Sequence, residues 1–203
     1  MKSSFYYHRH ANLIVENDLD FKSEFNELIT VIESISEDNL IDTFKERKKV
    51  RSNIKSLSEP INTLIKNKLT KLKWQSESSL FKEPPYNEGN RSRWRLDFAK
   101  NKISIEVAFN HQEATAHNIM KPVLASELNH VKKDIQTQLG VIIVATEELK
   151  KIGNFDSAIG TFEKFKEYFK PYNNLITVPI VLIGLRAPET FKIDKKSKEI
   201  IYV

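Results

Sequence analysis

The sequence has no cysteine, few glycines and no long hydrophobic run. The absence of cysteine excludes disulfide bonds, thiolate metal sites and a cysteine nucleophile, and it suits a reducing compartment. Because no stretch reaches the about 18 apolar residues that a membrane-spanning helix needs, no transmembrane segment is predicted. The N-terminal stretch MKSSFYYHRHANLIVEND also lacks the uninterrupted apolar core of a signal peptide. We therefore expect a cytoplasmic protein with no membrane partner.

Neither disorder nor a fibrous repeat fits the composition. Of the 203 residues, 40% are hydrophobic and 29% are charged, so the chain can bury a sizeable core. We find no internal repeat and no linker long enough to separate independent domains. We predict a single domain over residues 1–203, with a mostly helical part at about 1–82 and a hairpin and sheet core at about 91–187. Two domains are the alternative that length alone leaves open.

The charge is basic overall. The formal net charge is +5 and the isoelectric point is about 9.2, which favours an anionic partner. The basic residues cluster in KERKKVR (45–51), KNKLTKLK (66–73) and RSRWR (91–95). Such clusters indicate either nucleic-acid binding or a solvated lysine-rich surface.

Two segments have the apolar spacing of amphipathic helices. In residues 21–35 the apolar side chains recur three or four residues apart, which places them on one face. A second helix is predicted to begin near Ser58, which we expect to be its N-cap, with Pro60 in the first turn. The basic segment between these helices is polar, and we expect it to be partly exposed.

Strand patterns follow a loop, EPPYNEGNRS (83–92), that contains two prolines and a glycine. RSRWRLDF and KISIEVAF alternate apolar and polar residues, which predicts a β-hairpin. GVIIVAT (140–146) and TVPIVLIGL (177–185) are continuous apolar runs, typical of strands buried on both faces. Helical segments lie around residues 120–130 and in SAIGTFEKFKEYF. This order predicts an α/β fold with a mixed central β-sheet flanked by helices.

The register of the hairpin must place the apolar side chains of both strands on the same core. A two-residue turn at Lys100-Asn101 fits this requirement. The pairs that it predicts are Phe98 with Ile103, Leu96 with Ile105, and Trp94 with Val107. Asp97 then lies diagonal to Glu106 on the opposite face, at the roughly 7 Å separation of diagonal neighbours.

Two carboxylates at that separation can share one divalent cation. Mg²⁺ suits the pair, because it takes oxygen ligands and commonly uses one or two carboxylates together with substrate phosphate. A phosphodiester is then the expected substrate. The alternative is that Asp97 and Glu106 merely lie on the solvent-facing side of a hairpin. No glycine-rich phosphate loop, HExxH helix or serine-nucleophile elbow provides a rival site.

An ordered set of segments resembles a known family. The segments are LDF, followed nine residues after its Asp by EVAF, with YYHRHANLIV, INTLIKNKLTKLKW, SAIGTFE and VPIVLIGL. They are similar to the type II restriction endonucleases of the BglII, BstYI and BamHI kind, within the PD-(D/E)xK nuclease superfamily. The resemblance implies a restriction-endonuclease-like fold and Mg²⁺-dependent, sequence-specific cleavage of double-stranded DNA by a dimer, each subunit cutting one strand.

The resemblance also implies roles for particular residues. Asp97 and Glu106 match metal ligands, with the backbone carbonyl of Val107 as a further ligand. Asn62 matches an asparagine on the helix that borders the active site, although it is equally an ordinary exposed helix residue. The chain departs from the family at Ala108, where relatives carry Lys, Gln or Glu.

Another group must therefore take the role of the missing side chain, since alanine can neither orient nor deprotonate the attacking water. His111, just past the strand, and Glu59, at the start of the second helix, are the nearby candidates. The metal-bound water itself or a substrate phosphate could take the role instead.

Positions after the second strand match places where relatives touch DNA. Asn110 and His111 are chemically suited to base or phosphate contacts. Ser157 matches another loop that faces DNA, although Asp156 or Ser157 could instead cap the following helix.

Three functions are compatible with these patterns. The first is a type II restriction endonuclease that acts as a homodimer or as a heterodimer with a related subunit. The second, suggested by Ala108, is a sequence-specific DNA-binding protein with weakened catalysis on the same fold. The third is a repair or recombination nuclease that recognises DNA structure.

Overall fold

The computed structural model describes residues 1–88, 94–127 and 130–203, and within them the chain forms a mixed six-stranded sheet. The strand order is β1-β6-β5-β4-β3-β2. The strands are β1 (Ser3–His8), β2 (Gln75–Ser79), β3 (Arg95–Lys100), β4 (Ile103–Val107), β5 (Leu139–Ala145) and β6 (Ile180–Leu185). A separate two-stranded ribbon pairs β7 (Phe191–Ile193) with β8 (Ile200–Tyr202). The predicted α/β architecture with a mixed central sheet is confirmed.

Helices cover both faces of this sheet. They are α1 (Ala11–Asn17), α2 (Leu19–Glu33), α3 (Glu37–Val50), α4 (Ser58–Lys71), α5 (Thr115–Ser126), α6 (Glu147–Ile152) and α7 (Phe162–Phe169). The first four pack with Ile105 and Val141 in one large apolar cluster. On the other face, α5 and α7 pack against Ile142 and Leu182. None of the helices in the described ranges is long and apolar enough to cross a membrane.

The centre of the sheet is parallel and its edges are antiparallel. β4, β5 and β6 pair in parallel, and every residue of β5 and β6 is buried, as their continuous apolar runs predicted. The chain crosses from β4 to β5 through α5, which therefore lies directly over these strands. The close approach of α5 occurs at Gly140, where an added Cβ would lie 2.4 Å from the Cβ of Pro122.

Several local expectations need correction. Ser58 is the first residue of α4 and not its N-cap, which is Leu57. The helix expected around residues 120–130 begins earlier, at Thr115. The basic segment 45–51 mostly forms the C-terminal half of α3. The N-terminal half of this helix buries Leu40, Ile41 and Phe44 against the core. Arg91, Ser92 and Arg93 of the third basic cluster lie outside the described residues.

The predicted hairpin register is wrong by two residues. The turn consists of Asn101 and Lys102, and Phe98 pairs with Ile105 instead of Ile103. Asn101 adopts a left-handed φ of 47°, a conformation that asparagine tolerates better than most residues, so the turn forms one position later. Because side chains alternate with a period of two, this shift keeps Phe98 on the expected face.

The shift changes the relation between the two acids. Regular pairing of β3 with β4 ends at Phe98 and Ile105, one residue before Asp97 and Glu106. The same register, extended by one residue, sets Asp97 opposite Glu106 and not diagonal to it, and the two residues are in contact through a hydrogen bond. Because Ile105 pairs with Phe98, the predicted pairing of Leu96 with Ile105 is wrong as well. Leu96 packs in a different apolar cluster from Phe98.

Candidate active site

The end of the β3–β4 hairpin is held together by carboxylates. The backbone N–H of Val107 donates a hydrogen bond to Oδ2 of Asp97 at 2.6 Å, and the N–H of Asp97 donates to Oε1 of Glu106 at 3.3 Å. Each acid thus accepts from the backbone of the opposite strand, where an uninterrupted sheet would have a backbone carbonyl. This exchange fixes both carboxyl groups at the point where the strands part.

Glu106 is deeply buried. Its exposed fraction is 2%, which excludes the solvent-facing alternative for this acid. Its Oε2 lies 2.7 Å from Nζ of Lys121 on α5. Burial and then the neighbouring charge of Asp97 raise the pKa of Glu106 to about 8, and Lys121 offsets only part of this increase. Burial also raises the pKa of Asp97 above its ordinary value.

These raised pKa values predict the pH dependence of stability. Because folding raises the pKa of Glu106 from 4.5 to about 8, its protonated form favours the folded state, and that contribution is lost as the pH rises through this range. We expect the metal-free protein to lose free energy of unfolding between pH 5 and pH 8, and Glu106→Gln to flatten this slope. Chemical denaturation at several pH values measures both. An equal slope in the variant would contradict the assignment.

Asp97 opens onto a cavity of about 250 Å³ under α4. The cavity is lined by Glu59, Asn62, Thr63, Lys66, Glu77, Asp97, Phe98 and Val107. Glu106 is not among these lining residues in the described part of the chain, since its side chain runs toward α5. The sequence candidates Asn62 and Glu59 therefore share a cavity with Asp97 and Val107. Glu106 lies outside the lining of this cavity, on the side of α5.

Two arginine side chains balance the charge of the Glu59 carboxylate. Nε of Arg47 donates to Oε1 at 2.8 Å, and a nitrogen of Arg51 lies 3.5 Å from Oε2. The basic end of α3 thus reaches the rim of the cavity through this acid. At the same cavity, Nζ of Lys66 lies 3.7 Å from the Glu77 carboxylate.

The sequence patterns did not single out Glu77 or Lys121. Glu77 lies in the polar strand QSESS and has a left-handed φ of 54°. Lys121 is the one lysine in the helix TAHNIMKPVLAS, where several of its neighbours are buried. A lone cation among apolar residues was the available signal, because burying a charge favours an ionic partner.

The proposed DNA contacts come together on one surface. The N–H of Gln112 donates to the carbonyl of Ala158 at 2.7 Å, so the loop after β4 pairs with the loop before α7. This two-loop surface, residues 109–114 and 156–160, contains the exposed residues Asn110, His111 and Ser157.

Asn110 is held from beneath by α5, because the buried amide of Asn118 donates to its side-chain oxygen at 2.8 Å. Neither Asp156 nor Ser157 caps α7, whose N-cap is Thr161. Instead Asp156 accepts from the N–H of Ala158 within the loop.

Two acids can supply ligands for a divalent ion here. Burial makes both carboxyl groups harder to ionise, and the charge of Asp97 raises the cost of charging Glu106 further, which is the condition that a bound cation relieves. No group of three or more His, Asp or Glu side chains in the described ranges is placed to hold a metal. Mg²⁺ fits such a sparse set, because it retains waters and takes oxygens from substrate.

A family model of the restriction endonucleases BglII and BglIII matches residues 3–185. The chain belongs to this family. It is a type II site-specific deoxyribonuclease, as the resemblance of its segments to such enzymes implied. Divalent metal use is general among restriction endonucleases of this kind.

Solved structures of BglII show the same fold. A crystal structure of BglII complexed with a DNA 16-mer has 18% sequence identity and a TM-score of 0.64, and the match covers 98% of this chain and 87% of that one. Free BglII has 14% identity and a TM-score of 0.54, with coverage of 100% and 90%. A comparison with curated proteins finds no match.

Proposed function

We propose that this restriction endonuclease cuts double-stranded DNA at a specific sequence in a reaction that requires Mg²⁺. The observation that supports this most directly is that Asp97, which lines the cavity, lies beside the deeply buried Glu106. These carboxylates and the carbonyl oxygen of Val107 would hold the ion. When bound, Mg²⁺ would polarise the scissile phosphate and make a water a stronger nucleophile at neutral pH.

The remaining cavity residues would position the substrate. Asn62 can hydrogen-bond to a phosphate or to an ordered water beside Asp97. Because the Glu59 charge is balanced by Arg47, we propose that Glu59 fixes this guanidinium at the rim and does not act as the base. Lys66 and the end of α3 would neutralise phosphates, so binding should weaken steeply with salt.

The two-loop surface would read the DNA. Asn110 can bond to adenine in two places, and His111 and Ser157 can donate to bases or phosphates. The match to BglII complexed with DNA supports a duplex as the ligand. We propose a homodimer, which fits a palindromic target, and pairing with a related subunit would fit an asymmetric one. A cytoplasmic location is consistent with this role.

The test is digestion of several plasmid and phage DNAs with purified protein and Mg²⁺. We expect discrete fragments, and sequencing of their ends would give the recognition site and the cut position. A chelator should stop the reaction. A smear, or preferential cutting of branched DNA, would contradict sequence-specific cleavage and favour a structure-specific nuclease.

Ala108 motivates the one alternative that we carry forward. Its side chain is buried among apolar residues and contributes no polar group beside Glu106. A protein with weakened catalysis would bind one DNA sequence tightly and leave it intact in both Mg²⁺ and Mn²⁺. Gel-shift selection from a random duplex library, followed by incubation with each metal, separates this outcome from cleavage.

A further inference from the structure

A lysine of helix α5, which lies outside the hairpin, forms an ion pair with the buried acid Glu106. Nζ of Lys121 lies 2.7 Å from Oε2 of Glu106, and the Lys121 side chain is only 14% exposed. The other carboxylate oxygen of Glu106 accepts from the backbone N–H of Asp97. One ammonium and one amide thus determine the orientation of the whole carboxyl group.

The strand itself offers no such group. Ala108 follows Glu106 by two residues on the same face and is 2% exposed. It packs in an apolar cluster with Ile119, Val123 and Ile142. Within the described residues, Lys121 is the one basic side chain bonded to either acid.

The approach of α5 places Lys121 at this point. Pro122, the next residue, packs over Gly140 of β5 so closely that even a methyl group there would overlap it. Glu106 lies beside Ile142 on the adjacent strand. The glycine therefore allows the helix to lie near enough for Lys121 to reach the acid.

We propose that Lys121 is a positioning residue of the active site, which orients Glu106 and supplies from α5 the fixed positive charge that the strand lacks. This inference rests on the proposed function, since it assigns Lys121 to the same acidic pair. It does not follow from stability alone, because a buried ion pair often contributes no more than apolar packing of the same volume.

Removal of the Lys121 charge is expected to raise the affinity for a divalent cation and to lower the rate of cleavage. Removing a positive charge beside two carboxylates strengthens their attraction for a divalent cation. The same removal releases Glu106 from its orientation, and electrostatic groups of this kind contribute about 10²-fold or more to catalysis. A side chain with only a structural role would lower metal affinity and cleavage together when it is removed.

The experiment compares Lys121→Met, Lys121→Arg and the wild-type dimer. Ca²⁺ affinity is measured by calorimetry without DNA, and single-turnover cleavage is measured with Mg²⁺. For Lys121→Met we expect Ca²⁺ to bind several-fold more tightly and cleavage to fall about 100-fold or more. Lys121→Arg keeps the charge and should retain cleavage within roughly tenfold of wild type.

Lys102→Met is the matched control. It removes the same charge at the hairpin turn, where Lys102 pairs with exposed Asp20. This variant should leave both quantities unchanged, which separates a local effect from a change in net charge.

Equal or weaker Ca²⁺ binding by Lys121→Met would overturn the inference, as would cleavage within about threefold of wild type. If the wild-type protein cuts no DNA, the proposed function fails. The Ca²⁺ comparison then still decides whether Lys121 acts on the acidic pair.

Discussion

Asp97→Asn is expected to abolish DNA cleavage without lowering the stability of the metal-free protein. The variant removes the charge of a proposed metal ligand, and we expect a loss of about 10³-fold or more in single-turnover rate, at the upper end of effects for one electrostatic group. Stability should hold because burial already raises the pKa of Asp97, so a neutral side chain of the same shape suits the site. The Asn oxygen can still accept from the N–H of Val107.

The control for this prediction is Asp42→Asn, the same chemical change on the exposed surface of α3. Thermal unfolding and cleavage should both match wild type in that variant. Retained cleavage in Asp97→Asn would remove Asp97 from the active site. Loss of cleavage together with a large drop in unfolding temperature would assign it a structural role.

Gly140→Ala is expected to destabilise the protein and to slow cleavage. The new Cβ would lie 2.4 Å from Cβ and 2.9 Å from Cγ of Pro122, so α5 must move away from β5. Overpacking of this kind costs about 1–3 kcal/mol. Because Lys121 precedes Pro122, the displacement should also disturb its contact with Glu106.

A double-mutant cycle with Pro122→Gly tests this explanation. Pro122→Gly removes both the Cβ and the Cγ that the added methyl group would meet, so the combined variant should recover part of the stability and of the cleavage rate relative to Gly140→Ala. Chemical denaturation and single-turnover cleavage provide the two readouts. Strictly additive effects would show that Gly140 and Pro122 do not act through their mutual contact.

The elements that have a clear hydrophobic pattern, such as β5, β6 and α2, could be predicted from the sequence. The apolar runs of β5 and β6 permit little except strands buried on both faces, and the spacing in residues 21–35 produced α2 nearly as expected. β1 and β2 were missed for different reasons. β1 is an edge strand that pairs with β6 from the far end of the sequence, and β2 is a polar segment without alternation.

The site was predictable only as far as it lies within the hairpin. Alternation placed Asp97 and Glu106 on their strands, but the turn position depended on whether Lys100 or Asn101 begins it. Without a glycine, composition favours neither, and the left-handed conformation of Asn101 decided the register. Lys121 and Glu77 reach the site through tertiary packing, which no local pattern records.

Asn118 and Lys121 lie three residues apart, within a single turn of α5. Asn118 donates a hydrogen bond to Asn110 on the two-loop surface, and Lys121 donates one to the buried Glu106. A helical turn is stiff, so the loop and the acid cannot shift independently. A ligand that displaces Asn110 should therefore also disturb the contact of Lys121 with Glu106, which would couple the proposed DNA contact to the proposed metal site.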